Sequence, residues 1–219
     1  EATAYLWIPP RCARVRGLVV TGRNVTEHWL VGHPAVREAC ADADLGIIWS
    51  TPSFFAAQLE DGREVGAFRQ RLLDGLAAVS GYDEVARVPW LPIGESVHLL
   101  MVNRLVNSWP ERCIAAVQLK NAHLGLESRD VPVLLTAGTA QEWDQEKKDL
   151  LTAWRETSFH ERLVRERTEH PGWAAGLLVE GGSGHFDCTE AMAVEVARFI
   201  RSAARARLPA GTGAARTAR

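Results

Sequence analysis

Residues 88–109 read VPWLPIGESVHLLMVNRLVNSW, a short apolar run, the pentad Gly94-Glu95-Ser96-Val97-His98 and then a helical pattern. Trp90, Leu91 and Ile93 suit a buried strand. Leu99, Val102, Leu105 and Val106 recur at the spacing of a helix with one buried face. The segment therefore predicts strand, very tight turn and helix, with one serine at the apex. So tight a turn holds Ser96 in a sparsely populated backbone conformation. It exposes the serine Oγ above the carboxyl edge of a sheet and sets the Val97 N–H beside it at a helix N-terminus.

The rest of the chain alternates strand and helix signals. Ala4 to Ile8 (AYLWI) is strand-like and stops at Pro9-Pro10. Arg16 to Thr21 (RGLVVT) is a second strand, and it enters Gly22-Arg23-Asn24. Pro34 to Ala41 suits a short helix, and Leu45 to Ser50 (LGIIWS) is a near-continuous apolar run of the kind found in a parallel strand covered on both faces. Glu64 to Val79 carries Val65, Phe68, Leu72, Leu76 and Val79 on one helical stripe. Beyond the central stretch come Ile114 to Leu119 (strand), Val131 to Ala137 (strand), Glu142 to Thr168 (helix), Ala175 to Val179 (strand) and Thr189 to Arg207 (helix). Such alternation predicts an α/β fold: a mostly parallel sheet between two helical layers, a three-layer α/β/α sandwich.

Length and composition agree. A chain of 219 residues suits one α/β domain, taken as residues 1–207, with 208–219 as a disordered tail rich in Ala, Gly, Thr and Arg. Net charge is −2 with both signs interspersed, which gives no electrostatic case for nucleic acid or a membrane surface. No apolar run reaches the roughly 18 residues of a transmembrane helix, and EATAYLWIPP lacks the layout of a signal peptide. A signal already removed leaves no trace, so the compartment stays open: secreted or periplasmic, or else cytoplasmic. Oligomeric state is not legible. Cys12, Cys40, Cys113 and Cys188 form no C-x-x-C pair and read as free thiols, although Cys12 and Cys40 could pair in an oxidising compartment. Asn24-Val25-Thr26 is formally a glycosylation acceptor. His28, His33, His123, His160 and His170 show no metal-ligand grouping, and no metal or cofactor is implied.

In sheets of this kind reactive residues gather at the carboxyl ends of strands, and four loops there carry candidate chemistry. Ser96 follows Ile93. The glycine-rich Gly181-Gly182-Ser183-Gly184-His185 follows the last strand and presents a histidine. Gly138-Thr139-Ala140-Gln141-Glu142-Trp143-Asp144 offers carboxylates, and Gly22-Arg23-Asn24 offers backbone N–H groups. Gly94-x-Ser96 is most of the G-x-S-x-G nucleophile-elbow signature. Together these residues resemble the α/β-hydrolase superfamily, whose members order their triad Ser, acid, His; here Ser96, Glu142 or Asp144, and His185 follow the expected strands, and the likeness runs from about Ala4 to Arg207.

The resemblance implies a serine esterase. Ser96 would be the nucleophile and His185 its base. Glu142 would be the acid, with Asp144 the alternative and Glu127 or Asp130 a minor option from the preceding loop. The N–H groups of Val97 and of Arg23 or Asn24 would bind the oxyanion. Glu95 and Arg23 are candidate substrate contacts or salt-bridge partners, and Trp29, Trp143 and Trp173 candidate pocket walls. No insertion long enough for a separate lid domain follows the sixth strand, which favours short-chain or carbohydrate-linked esters. Two residues depart from the family pattern: His98 stands where the elbow has a small residue, and Gln141 stands where the acid is usual. A binding protein that kept the fold without the chemistry, or an acyltransferase or peptidase with the same triad, are the competing readings.

Overall fold

The computed structural model describes residues 3–51, 62–120, 125–138 and 158–209. Seven strands form one sheet: β1 (Thr3–Trp7), β2 (Gly17–Gly22), β3 (Leu45–Thr51), β4 (Trp90–Glu95), β5 (Ala116–Leu119), β6 (Val133–Gly138) and β7 (Ala175–Glu180). Their order is β1-β3-β2-β4-β5-β6-β7. Only β1 runs antiparallel, with Tyr5 opposite Trp49, and it forms one edge. The other neighbouring pairs are parallel.

The helices are α1 (Val25–Gly32), α2 (Pro34–Asp42), α3 (Gly62–Ser80), α4 (Leu99–Ser108), α5 (Ser158–Glu169) and α6 (Glu190–Arg207). Alternating strand residues divide the core between the two faces. Val19, Ile47, Leu91, Ile93 and Val117 face α1, α2 and α6, while Leu18, Val20, Ile48, Trp90 and Ala116 face α3, α4 and α5. Helix α6 shows how the pattern reaches the core: Met192, Val196 and Ile200 recur every fourth residue and are fully buried. Its start is fixed by Thr189, whose hydroxyl accepts from the Met192 N–H. On the opposite layer, the Arg69 guanidinium lies 3.6 Å from the centre of the Trp109 ring and 4.2 Å from that of Trp90, tying α3 to the segment around the elbow.

Strand and helix positions follow the sequence pattern to within a residue or two, and the three-layer sandwich with a mostly parallel sheet is as expected. No separate lid domain stands among the described residues. The exception to the pattern is α1, which the Gly22-Arg23-Asn24 turn concealed. The expected helix over 142–168 is described only from Ser158, and the tail from residue 210 lies outside the described residues, as do Gln141, Glu142, Trp143 and Asp144. All four cysteines are free. Cys12 and Cys40 belong to cores on opposite faces of the sheet and do not pair, and burial pushes their thiols up to about 11 and about 12. No helix among the described residues is long and apolar enough to cross a membrane.

Candidate active site

Strand β4 ends at Glu95, and Ser96–His98 form a single tight turn before α4. Ser96 has φ +54°, in the left-handed region that a side chain other than glycine enters at a cost of about 1–2 kcal/mol. Gly94 shows why the turn closes. A Cβ there would lie 2.6 Å from the His98 carbonyl oxygen and 2.7 Å from Val102 Cγ2, so only glycine lets the helix backbone pass so near the strand. Val97, next to Ser96, is exposed at the start of the turn.

His98 is buried, and its side chain explains its presence in the elbow. Nδ1 lies 2.7 Å from Glu27 Oε1. Glu27, on α1, is fully buried and was not evident in the sequence. Its Oε2 accepts from Thr21 Oγ1 at 2.6 Å and from the Gly22 N–H at 2.8 Å, and its Oε1 accepts from the Glu95 N–H at 2.8 Å as well as from His98. One signal for Glu27 did exist. Asn24-Val25-Thr26-Glu27 has the spacing of a helix N-cap followed by an acid three residues on. Asn24 does cap α1, its Oδ1 accepting from the Val25 N–H. Thr26 of the formal glycosylation acceptor is fully buried.

Burial acts to lower the His98 pKa, but the hydrogen bond and charge of Glu27, with the charge of Glu95, outweigh it and hold the value above the ordinary 6.5. A folded-state pKa raised in this way gives stability that is complete below pH 6.5 and is lost as pH rises through the folded value. His98→Asn keeps a donor near the Nδ1 position but cannot titrate. The Tm advantage of wild type over this variant should therefore shrink as pH rises above 6.5 through the folded-state value. A difference that stays flat over that range would show that Glu27 does not hold His98 charged.

The two oxyanion candidates on the β2 side fare differently. The Asn24 N–H donates to the Gly22 carbonyl at 3.2 Å, so it is already engaged, a correction to its expected role. Arg23 is exposed and sits between Gly22 and Asn24, both held by hydrogen bonds. Of the two readings of Glu95 the geometry matches the salt-bridge partner: its side chain is fully buried, and Oε1 lies 3.8 Å from His185 Nε2. Trp173 is a core residue whose Nε1 donates to the Val131 carbonyl, and Trp29 packs against His33, ring centres 4.9 Å apart and planes tilted by 48°, within the α1–α2 corner.

The loop after β7 brings His185 to this point. Lys120 follows β5 with φ +53° and is fully buried. Its Nζ donates to Glu180 Oε2 and to Ser183 Oγ, each at 2.6 Å. Thr189 Oγ1 donates to the other Glu180 oxygen, and the Gly184 N–H donates to Asp187 Oδ2 at 2.7 Å. A buried ammonium is tolerable only with such partners, so the cluster fastens the loop on both sides of its turn at Gly182, φ +74°. Burial, and then the Lys120 charge, lower the pKa of His185 from 6.5. The site thus sets a serine at a strained apex after β4, and the loop after β7 carries a histidine biased toward its neutral form to within 3.8 Å of the last residue of that strand. No cluster able to hold a metal ion occurs among the described residues.

No family model matches the chain, and no curated protein matches it in sequence. Solved structures do. A predicted CIB-like hydrolase from Thermoplasma acidophilum superposes with a TM-score of 0.54 at 13% identity, over 92% of this chain and 93% of that one. The chain has the α/β-hydrolase fold. Est1E from Butyrivibrio proteoclasticus gives 0.52 at 13% identity over 92% of this chain and 94% of that one. Mouse alpha/beta hydrolase domain-containing protein 10 gives 0.52 at 15% over 92% of each. At such identities the likeness speaks for the α/β-hydrolase fold, and the chemistry rests on this chain's own residues.

Proposed function

We propose that this α/β-hydrolase-fold protein is a serine hydrolase that cleaves carboxylic esters through an acyl-enzyme. The observation that carries the reading is Ser96 at φ +54° on a strand-to-helix apex, with His185 delivered beside the same strand end, Nε2 3.8 Å from Glu95 Oε1. Strain of this kind persists where the surroundings over-determine it and clusters at reactive positions.

The chemistry follows from the side chains. Ser96 Oγ attacks the ester carbonyl carbon as His185 takes its proton. The tetrahedral oxyanion is bound by the N–H groups of Val97 and Arg23, each worth about 3 kcal/mol in a comparable site. Collapse expels the alcohol, which receives the proton from His185, and leaves Ser96 acylated. Water, deprotonated by His185, releases the acid. A carboxylate holds the imidazole tautomer and stays ionised. Glu142 is the favoured residue for that role because it stands nearer the strand end, with Asp144 the alternative.

Short-chain or carbohydrate-linked esters are the proposed substrates, because the spacing after β6 leaves no room for a separate lid domain and the site should be open. A panel of p-nitrophenyl esters from acetate to palmitate tests this, with acetate or butyrate giving the highest kcat/KM. A preference for palmitate would overturn the substrate class. No turnover of any ester by folded protein would favour the binding-protein reading, for which Gln141 at the usual acid position is the supporting feature.

A further inference from the structure

We propose that Glu27 is a positioning residue that fixes the oxyanion-binding backbone against Ser96. The inference rests on the Ser96–His185 reading and adds a residue that the triad alone does not require. The four hydrogen bonds of its carboxylate come from three segments. Thr21 and Gly22 end β2 and lead directly into Arg23, Glu95 precedes the nucleophile, and His98 closes the turn that carries Val97. The two proposed oxyanion donors belong to different strand ends, β2 for Arg23 and β4 for Val97. Glu27 is bonded to the residue just before Arg23 and, through Glu95 and His98, to both sides of Ser96-Val97. The separation of the two donor N–H groups is thus set through a single buried carboxylate.

The site demands a carboxylate and not merely a polar residue. Each oxygen faces one backbone N–H, Gly22 at Oε2 and Glu95 at Oε1, and a backbone N–H only donates. A glutamine in either orientation turns its NH2 group against one of them. The resulting buried clash of donors pushes either the β2 end or the elbow away. An aspartate is one methylene shorter and cannot reach all four donors from α1. Position His98 joins the same set: the imidazole that departs from the family pattern supplies the fourth donor, so its presence fits a reinforced elbow and not a decayed one.

The test must separate oxyanion geometry from loss of folded protein. We compare an ester with its thiono analogue, in which sulfur replaces the carbonyl oxygen. A sulfur anion is larger and a poorer acceptor, so the oxo/thiono rate ratio reports on the donor pair. Rates are normalised to the fraction of protein titrated by a fluorophosphonate, which removes unfolded molecules from the comparison. Glu27→Gln is expected to lower normalised kcat about 100-fold, the order of losing one oxyanion donor, with KM little changed and the oxo/thiono ratio down at least about tenfold. Thr21→Val, which removes one hydroxyl donor and keeps the shape, should lower the ratio by a smaller factor and decides the question if Glu27→Gln does not fold. A ratio unchanged in Glu27→Gln, or in Thr21→Val where only that variant folds, overturns the inference and leaves Glu27 a fold-stabilising residue. Wild-type protein that no fluorophosphonate titrates and that turns over neither ester is a different result: it refutes the Ser96–His185 reading itself, and this inference with it.

Discussion

Ser96→Ala is expected to lower kcat for ester hydrolysis by about 10⁴–10⁶-fold and to leave the fold intact. Alanine removes the only atom able to form the acyl-enzyme, and what remains is catalysis by the oxyanion donors and binding alone. The backbone conformation adds a second arm. Ser96 and alanine bear the same left-handed strain at φ +54°, so their stabilities should match. Glycine enters that region freely. Ser96→Gly should therefore be as inactive as Ser96→Ala yet more stable by about 1 kcal/mol, the cost of a left-handed side chain set against glycine's larger unfolded-state entropy. Urea denaturation of the three proteins, beside ester turnover, reads both arms. A Ser96→Ala protein within tenfold of wild-type kcat would exclude Ser96 as the nucleophile.

His185→Ala should cost nearly as much in kcat, and the double variant should be no worse than either single one, because nucleophile and base act as a unit. The pH profile gives an independent reading. In the proposed mechanism His185 must be neutral to accept the Ser96 proton, and burial together with the Lys120 charge lowers its pKa from 6.5. The acid limb of kcat/KM should accordingly fall below pH 6.5: activity persists as the medium is acidified through the usual histidine range and declines only beyond it. A limb centred above 6.5 would mean that a neighbouring carboxylate dominates the imidazole in the working enzyme.

Much of this site was legible because apolar periodicity and glycine spacing are local signals. The run Trp90 to Ile93, the Gly94-x-Ser96 turn and the stripe from Leu99 to Val106 are each decided by residues within a few positions of one another, and the structure places β4, the turn and α4 there. The glycine-rich loop before α6 was equally plain, since Gly181, Gly182 and Gly184 lead up to His185 in sequence, and Gly182 does take a positive φ. What escaped was partnership across the chain. Glu27 and His98 stand 71 residues apart, and Lys120 and Glu180 60 apart, so neither pair leaves a trace in any window of sequence. His98 read as a defect of the elbow because its partner was unseen. Glu95 stayed open between substrate contact and salt-bridge partner because burial of a carboxylate is a property of the packed site, and Asn24 read as a free donor because its N–H closes a turn onto Gly22. Helix α1 was hidden by the Gly22-Arg23-Asn24 turn before it and by Thr26, Glu27 and His28, polar residues of which the first two are buried and the second holds the network around the elbow.

The most direct test is intact-mass labelling with a fluorophosphonate, followed by peptide mapping. Wild-type protein should gain one adduct, carried by Ser96, and Ser96→Ala and His185→Ala should gain none under the same conditions. An adduct on another residue, or none on folded wild-type protein, would contradict an activated Ser96.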